Sequence, residues 1–247
     1  MSFYEHMRAA VLQHGAINNP YLARFRTGAL TDNEVRDFAI EFYSFTRFFP
    51  RILVAQLVNT EDEAVAAELT KVLYSELGDG HVSRRHELLY RNFLRSIDIS
   101  VHDAMTRPML PSTRVYIEGM EQLYGSGNHA TAVGASFGLE NMAITMWDHL
   151  IPGLSSLRAR RFPAMDMTYF TFHRELEEGH EEAMKNAVQA MHGEPGTEGF
   201  SFQDKQDFQH GMLAVLNYLE GFWMGLEPNA SRIAGPREAW ASSALRD

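Results

Sequence analysis

The chain has 247 residues, 45% of them hydrophobic, with 16 Phe, 13 Met and a formal net charge of −10. That is enough apolar material for one large domain, and the acidic balance argues against nucleic acid or an anionic membrane as partner. There is no cysteine, which excludes disulfides, thiolate nucleophiles, cysteine-ligated clusters and thiolate-ligated haem, but not oxygen or nitrogen ligation of iron or manganese.

Val/Ile/Thr alternation is nearly absent and strong helix formers dominate, so the chain reads as all-α, a single-domain bundle of seven to eight helices. A first helix is expected over residues 2–17, closed by Asn18-Asn19-Pro20. Thr31 with Glu34 forms a capping-box pattern that opens a helix to about Asn59, with Pro50 expected to kink or split it. The same pattern at Thr60 and Glu63 opens a helix through Leu77; Gly78-Asp79-Gly80 breaks it before a helix from His81 to Leu94. Pro108 and Pro111 bracket a loop, and Ser112 or Thr113 is expected to cap a helix to Tyr124. Asn128 to Leu150 reads as a long helix stopped by Pro152-Gly153, followed by a short segment and a helix from His173 to before Gly193. Asp204 to Leu226 closes the bundle: residues 1–227 are expected to form the domain and 228–247 a loosely packed tail. No run of 18 apolar residues and no secretory leader is visible, which points to a cytoplasmic protein without a membrane partner.

The most informative stretch is FHRELEEGHEEAM, residues 172–184. At about 100° per residue, His173, Glu177 and His180 share one helical face with Ala187 and Met191, while the neighbouring acids point elsewhere. Imidazole and carboxylate on a core face are costly unless paired or bound to metal, and a histidine satisfied by Glu177 is the simpler alternative. Glu76 and His86 flank the Gly-Asp-Gly break, which lets a ten-residue gap close on one point; a surface turn would read the same way. Glu140 is the lone ionisable residue between Ala130 and Met146, where an unpaired carboxylate would cost several kcal/mol. Together the six residues offer three carboxylates and three imidazoles, a mixture that suits two Fe or Mn ions in a bundle core. An aromatic-dense segment with Phe42, Tyr43, Phe45, Phe48 and Phe49 accompanies Arg47 and Arg51. Such a stripe is ordinary core; as a pocket, Phe45, Phe49, Trp147, Tyr169 and Phe172 would wall a flat or apolar substrate and Arg47 would grip its carboxylate.

The ordered set E-L-G-D-G…His, then a lone Glu 54 residues on, then H-x-x-x-[D/E]-x-x-H resembles the haem-oxygenase-like di-iron oxidases and oxygenases, over roughly residues 30–225. Glu177 stands where many members carry Asp, and Glu41 is the nearest match to an extra carboxylate some members use. The resemblance implies two Fe2+ ions (Mn as an alternative) held by Glu76, His86, Glu140, His173, Glu177 and His180, with O2 as co-substrate. It also implies a small amino-acid-derived or carboxylate-bearing substrate undergoing N-oxygenation or oxidative C–C cleavage in biosynthesis. A homodimer is allowed for. The rivals are a cofactor-independent oxidase of the quinone-cofactor-synthesis type, a haem protein using His6 or His14, and a non-enzymatic interaction protein.

Overall fold

The computed structural model describes residues 2–191 and 200–227. Within them the chain forms ten α-helices and one 3-10 turn, with no strand. In order these are α1 (Phe3–Gln13), α2 (Pro20–Arg26), α3 (Asp32–Val58), α4 (Glu63–Glu76), the 3-10 turn Val82–Arg84, α5 (His86–Ser96) and α6 (Val101–Thr106). The remainder are α7 (Pro111–Tyr124), α8 (His129–Arg160), α9 (Thr168–Met191) and α10 (Phe202–Gly225). The count exceeds the seven to eight expected because two short helices, α2 and α6, carry no long periodic pattern. The expected tail at 228–247 and the Gly193 stop lie outside the described residues.

Several boundaries differ for local reasons. Asn19-Pro20 opens a helix instead of closing one: the Asn19 side chain accepts from Leu22 N–H at 2.9 Å and Pro20 takes the first helical position, where its missing N–H costs nothing. Asp62, not Thr60, caps α4, accepting from the N–H groups of Ala64 and Val65. Pro111 opens α7, so Ser112 and Thr113 fall inside its first turn; the Leu110 N–H at that end donates instead to Glu41 Oε2 of α3, at 3.1 Å. Pro50 leaves α3 as one helix.

The largest departure is α8, which runs through Pro152 to Arg160. Leu154 and Leu157 beyond the proline are fully buried, so packing outweighs the lost backbone bond. Gly153 makes that packing possible: a Cβ there would lie 2.0 Å from the Phe25 carbonyl oxygen of α2. Helix α8 is the central element, packed against α10, α9, α2, α7 and α1, while α9 also packs on α4 and α5. Two glycines bring α8 and α10 into backbone contact. A Cβ on Gly134 would meet Phe208 O at 2.0 Å, and one on Gly211 would meet Thr131 O at 2.0 Å. The result sets α4, α5, α8 and α9 around a common centre.

Candidate metal centre

Helix α4 ends in a tight left-handed exit. Gly78, Asp79 and Gly80 have φ of 91°, 52° and 80°, the region that glycine tolerates and aspartate occasionally adopts. Gly78 N–H donates to Ser75 O and Asp79 N–H to Tyr74 O, the paired bonds of a Schellman termination. The chain reverses through the 3-10 turn and restarts at His86. Glu76, the last residue of α4, and His86, the first of α5, therefore face one another, with Nδ1 of His86 2.8 Å from Oε2 of Glu76. The His173 Nε2 of α9 lies 3.5 Å from the other oxygen, Oε1. One group is thus Glu76, His86 and His173; a second is Glu140 of α8 with Glu177 and His180 of α9, and within each the ligand atoms all lie within 4.8 Å of one another. All six residues are 1–5% exposed.

In the second group His180 Nδ1 is 3.2 Å from Glu140 Oε2 and 3.6 Å from Glu177 Oε2. Trp147, two turns along α8 from Glu140, donates its indole N–H to Glu177 Oε1 at 2.7 Å. The first helix braces the residues next to these ligands: the Tyr4 hydroxyl lies 3.2 Å from Asn141 Oδ1 and 3.3 Å from Glu181 Oε1.

The electrostatics are those of a buried charge cluster. Burial alone would raise the Glu76 carboxyl, but His86 and His173 beside it hold it well below the usual carboxylate range. Burial, reinforced by the neighbouring His86, lowers His173. Burial also opposes charge on His180, yet Glu140 and Glu177 overcome it and lift the imidazole well above its ordinary value. Desolvation raises Glu140.

The fit to metal rests on donor atoms with nothing else to do. His173 Nδ1 faces the Tyr169 carbonyl at 3.2 Å; a carbonyl only accepts, so the neutral ring carries its proton there and its lone pair on Nε2. Both ring nitrogens of His86, Nε2 of His180 and Oε2 of Glu177 are buried without a hydrogen-bond partner. The 2.8 Å approach of His86 to Glu76 is likewise outside hydrogen-bond geometry. Buried polar atoms are seldom left in this state, and lone pairs converging on a shared cation would account for the cluster of them here. A mixed oxygen–nitrogen set without sulfur fits Fe or Mn.

A cavity adjoins both groups. Glu76, Glu140, His173 and Glu177 form one part of its wall, and Phe42, Phe45, Phe49, Met142, Met146, Trp147 and Tyr169 are among the residues that form the rest. Of the residues offered as a pocket wall, Phe45, Phe49, Trp147 and Tyr169 line this cavity. Arg47 does not line it. On α3 it is about 140° from Phe42, and its guanidinium sits 4.8 Å over the Phe48 ring. Phe172 packs edge-on to His86 and is not among the lining residues. Glu41 is also outside both groups: it is buried at the N-terminus of α7 and serves Leu110 N–H. His14 accepts from Ala16 N–H through Nδ1, and it too lies outside both groups. Sequence reading passed over Thr46, Tyr116, Leu139, Met142, Ala143, Met146 and Leu219 in the wall. The signal was there in part: at about 100° per residue Ala143 shares the face of α8 that carries Glu140 and Trp147, whereas Leu139, Met142 and Met146 lie farther round the helix.

The profile of a family described as iron-containing redox enzyme matches residues 36–217. A curated protein, 4-chloro-allylglycine synthase of Streptantibioticus cattleyicolor, is 25% identical over 224 residues, 91% of this chain and 82% of that protein. Among solved structures, a CADD-like protein of unknown function from Nostoc punctiforme covers 93% of this chain and 96% of its own at 14% identity and a TM-score of 0.75. A domain of unknown function with a heme oxygenase-like fold from Shewanella denitrificans gives 18% identity, 93% and 91% coverage and a TM-score of 0.68. A TenA homologue from Pseudomonas syringae pv. tomato gives 14% identity, 91% and 89% coverage and a TM-score of 0.67. These likenesses establish the haem-oxygenase-like fold.

Proposed function

This chain belongs to the iron-containing redox enzyme family, and from that premise we propose that it is an O2-dependent oxidase or oxygenase working with two iron ions. The observation that carries the reading is the pair of buried carboxylate–imidazole groups, Glu76–His86–His173 and Glu140–Glu177–His180, opening on one cavity. Each group would hold one ion, and three carboxylates offset most of the charge of two divalent cations. Bound iron supplies the activation of O2 and the oxidising power. The substrate is a small molecule that is derived from an amino acid or bears a carboxylate, as the name of the Streptantibioticus relative suggests. N-oxygenation and oxidative C–C cleavage are the outcomes to distinguish.

The chain's own residues do the rest. The Tyr169 carbonyl orients His173 so that Nε2 faces the centre. Trp147 occupies one oxygen of Glu177 and leaves the other for a ligand. Phe42, Phe45, Phe49, Met142 and Met146 make the remaining wall apolar, which excludes water from a reactive centre and holds a substrate by its carbon skeleton. With Arg47 turned away, no Lys or Arg among the described residues lines the cavity to receive a substrate carboxylate, so that group would be placed by the metal side of the wall.

The test is anaerobic loading with Fe(II), followed by a screen of amino acids and carboxylic acids for substrate-triggered O2 uptake. The expected result is about two iron ions per chain and uptake that disappears in His173→Ala and Glu140→Ala while helicity is retained. Full turnover by metal-stripped protein in the presence of chelator would refute the reading. Loading with Mn(II) in parallel identifies the working metal.

A further inference from the structure

Three tyrosines run in unbroken ring contact from the ligand cluster outward. The Tyr169 ring centroid is 4.4 Å from that of His173. Tyr90 meets Tyr169 edge-on at 4.7 Å, and Tyr43 stacks on Tyr90 at 5.8 Å and 19°. Such distances are ordinary for packed aromatics, and much of the surrounding core is phenylalanine, which is far harder to oxidise than a phenol. What sets the chain apart is its outer end. The Tyr43 hydroxyl donates to Glu87 Oε1 at 2.6 Å and accepts from Arg91 Nε at 3.1 Å. Oxidation makes a phenol strongly acidic, so an electron hole settles where the phenolic proton has a base within hydrogen-bond reach. Tyr90 donates to a carbonyl, that of Ala39, and Tyr169 shares its bond with the Thr46 hydroxyl; neither partner is a base. Tyr43 itself is buried, but Glu87 and Arg91 are 30% and 36% exposed, so its hydroxyl meets the surface layer.

The segment that supplies the partners of that hydroxyl, between Asp79 and Asp98, is basic on a chain that is acidic overall. Residues 81–96 carry Arg84, Arg85, Arg91 and Arg95 against the single acid Glu87, on a chain whose net charge is −10. Arg84, Arg85 and Arg95 are exposed. A basic island on an acidic protein steers an acidic partner to that spot.

We propose that Tyr43 is the port through which single electrons reach the metal centre, by way of Tyr90 and Tyr169, and that the donor is an acidic one-electron carrier protein. The proposal rests on the iron reading above. In one cycle the oxidant is O2, whose activation iron held by the two carboxylate–imidazole groups would supply. An electron leaves the Tyr43 ring along the relay, the Oη–H bond breaks, and the proton passes to Glu87 Oε1, leaving a neutral tyrosyl radical beside a carboxylic acid. The carrier returns one electron and Glu87 returns the proton, so the phenol is restored and the net transfer is one electron from carrier to oxidant.

The Fe(II)-loaded protein, without organic substrate, is mixed with O2 and freeze-quenched for electron paramagnetic resonance while O2 uptake is recorded on the same sample. A tyrosyl signal is expected in the wild type and in the exposed-site control Tyr74→Phe, and its loss in Tyr43→Phe and in Tyr90→Phe. O2 uptake with no signal, or with a signal that survives either of the last two changes, overturns the relay. Absence of O2 uptake under these conditions overturns the relay alone; the iron reading stands or falls on the substrate-triggered uptake described above. In metal-free protein, flash oxidation with a ruthenium tris-bipyridine complex and persulfate should give a component that Tyr43→Phe removes and Glu87→Gln makes short-lived; an unchanged lifetime would reject Glu87 as the proton acceptor. Reduced plant-type [2Fe–2S] ferredoxin should quench that component roughly tenfold more slowly at high than at low salt, and more slowly again in Arg84→Glu/Arg95→Glu. Quenching indifferent to both would reject the acidic carrier.

Discussion

Glu34 and Glu41 stand two turns apart on α3, and their surroundings push them in opposite directions. Burial opposes ionisation of Glu34, but the N–H and hydroxyl of Thr31 and the Arg24 guanidinium together hold its carboxyl below the ordinary value of 4.5. A depressed carboxyl contributes stability that is fully present above its unfolded value and is lost as pH falls through its folded one. Glu34→Gln should therefore cost about 1 kcal/mol at neutral pH, with the difference from wild type vanishing in acid. Glu41 is raised by burial, only partly offset by the Thr113 and Leu110 groups at the α7 N-terminus. The unfolded chain releases that proton first, so wild-type stability falls as pH rises from 4.5 through the folded value. Glu41→Gln keeps an acceptor for Leu110 N–H and removes this slope, leaving stability at neutral pH equal or higher. Urea titrations across pH check both signs. Trp147→Phe should weaken binding of the metal held by Glu177 by about 10–100-fold and destabilise the metal-free protein by about 2 kcal/mol. Mn(II) titration and denaturation read the two effects. At this scale the sequence was most legible where polar groups stood alone: Glu140 in an uncharged helix and His173, Glu177 and His180 on one face converge in space. Arg47, offered as a grip for a substrate carboxylate, does not line the cavity, because position 47 falls about 100–160° round the helix from 42, 45, 46 and 49.

Helix boundaries were legible at Thr31 and Asn128, where a side chain caps its own helix, though the equally local caps Asn19 and Asp62 were passed over. Boundaries were not legible where the deciding group is remote. Glu41 of α3 serves the end of α7, and the packing of α2 carries α8 beyond Pro152. No local pattern encodes either. The glycines make the same contrast testable. Gly134→Ala or Gly211→Ala must push a Cβ into a carbonyl of the facing helix, with an expected cost of about 1–3 kcal/mol or more. Gly179 sits on the exposed side of α9, between Glu177 and His180, and an added Cβ there would have nothing within 4 Å. Gly179→Ala should stabilise by about 0.5–1 kcal/mol through helix propensity alone. Denaturant midpoints of the three variants decide the matter.

At the scale of the molecule, the all-helical architecture followed from composition and period, and the haem-oxygenase-like fold is confirmed by its structural neighbours. No helix of the described residues is long and apolar enough to cross a membrane. If the six buried ionisable groups from α4, α5, α8 and α9 hold metal as proposed, its binding is a stability term for the whole bundle. Loading at a free metal concentration 100 times the dissociation constant should add about 2.7 kcal/mol per site, seen as a higher melting temperature that chelator reverses. Failure of the melting temperature to move with Fe(II), Mn(II) or chelator would count against six shared ligands.

The glycine seam between α8 and α10 also bears on the order in which the molecule assembles. Its two halves, around positions 134 and 208, are 74 residues apart in the chain. Contacts of such separation form late unless they belong to the nucleus, because loop-closure entropy must be met first. Until α10 docks, the uncharged face of α8 around Gly134 and Gly138 stands open to water, and self-association competes with completion. Gly134→Ala would then do more than lower stability. If the seam belongs to the folding transition state, the variant refolds more slowly and aggregates at lower concentration; if the seam forms afterwards, it shows mainly as faster unfolding.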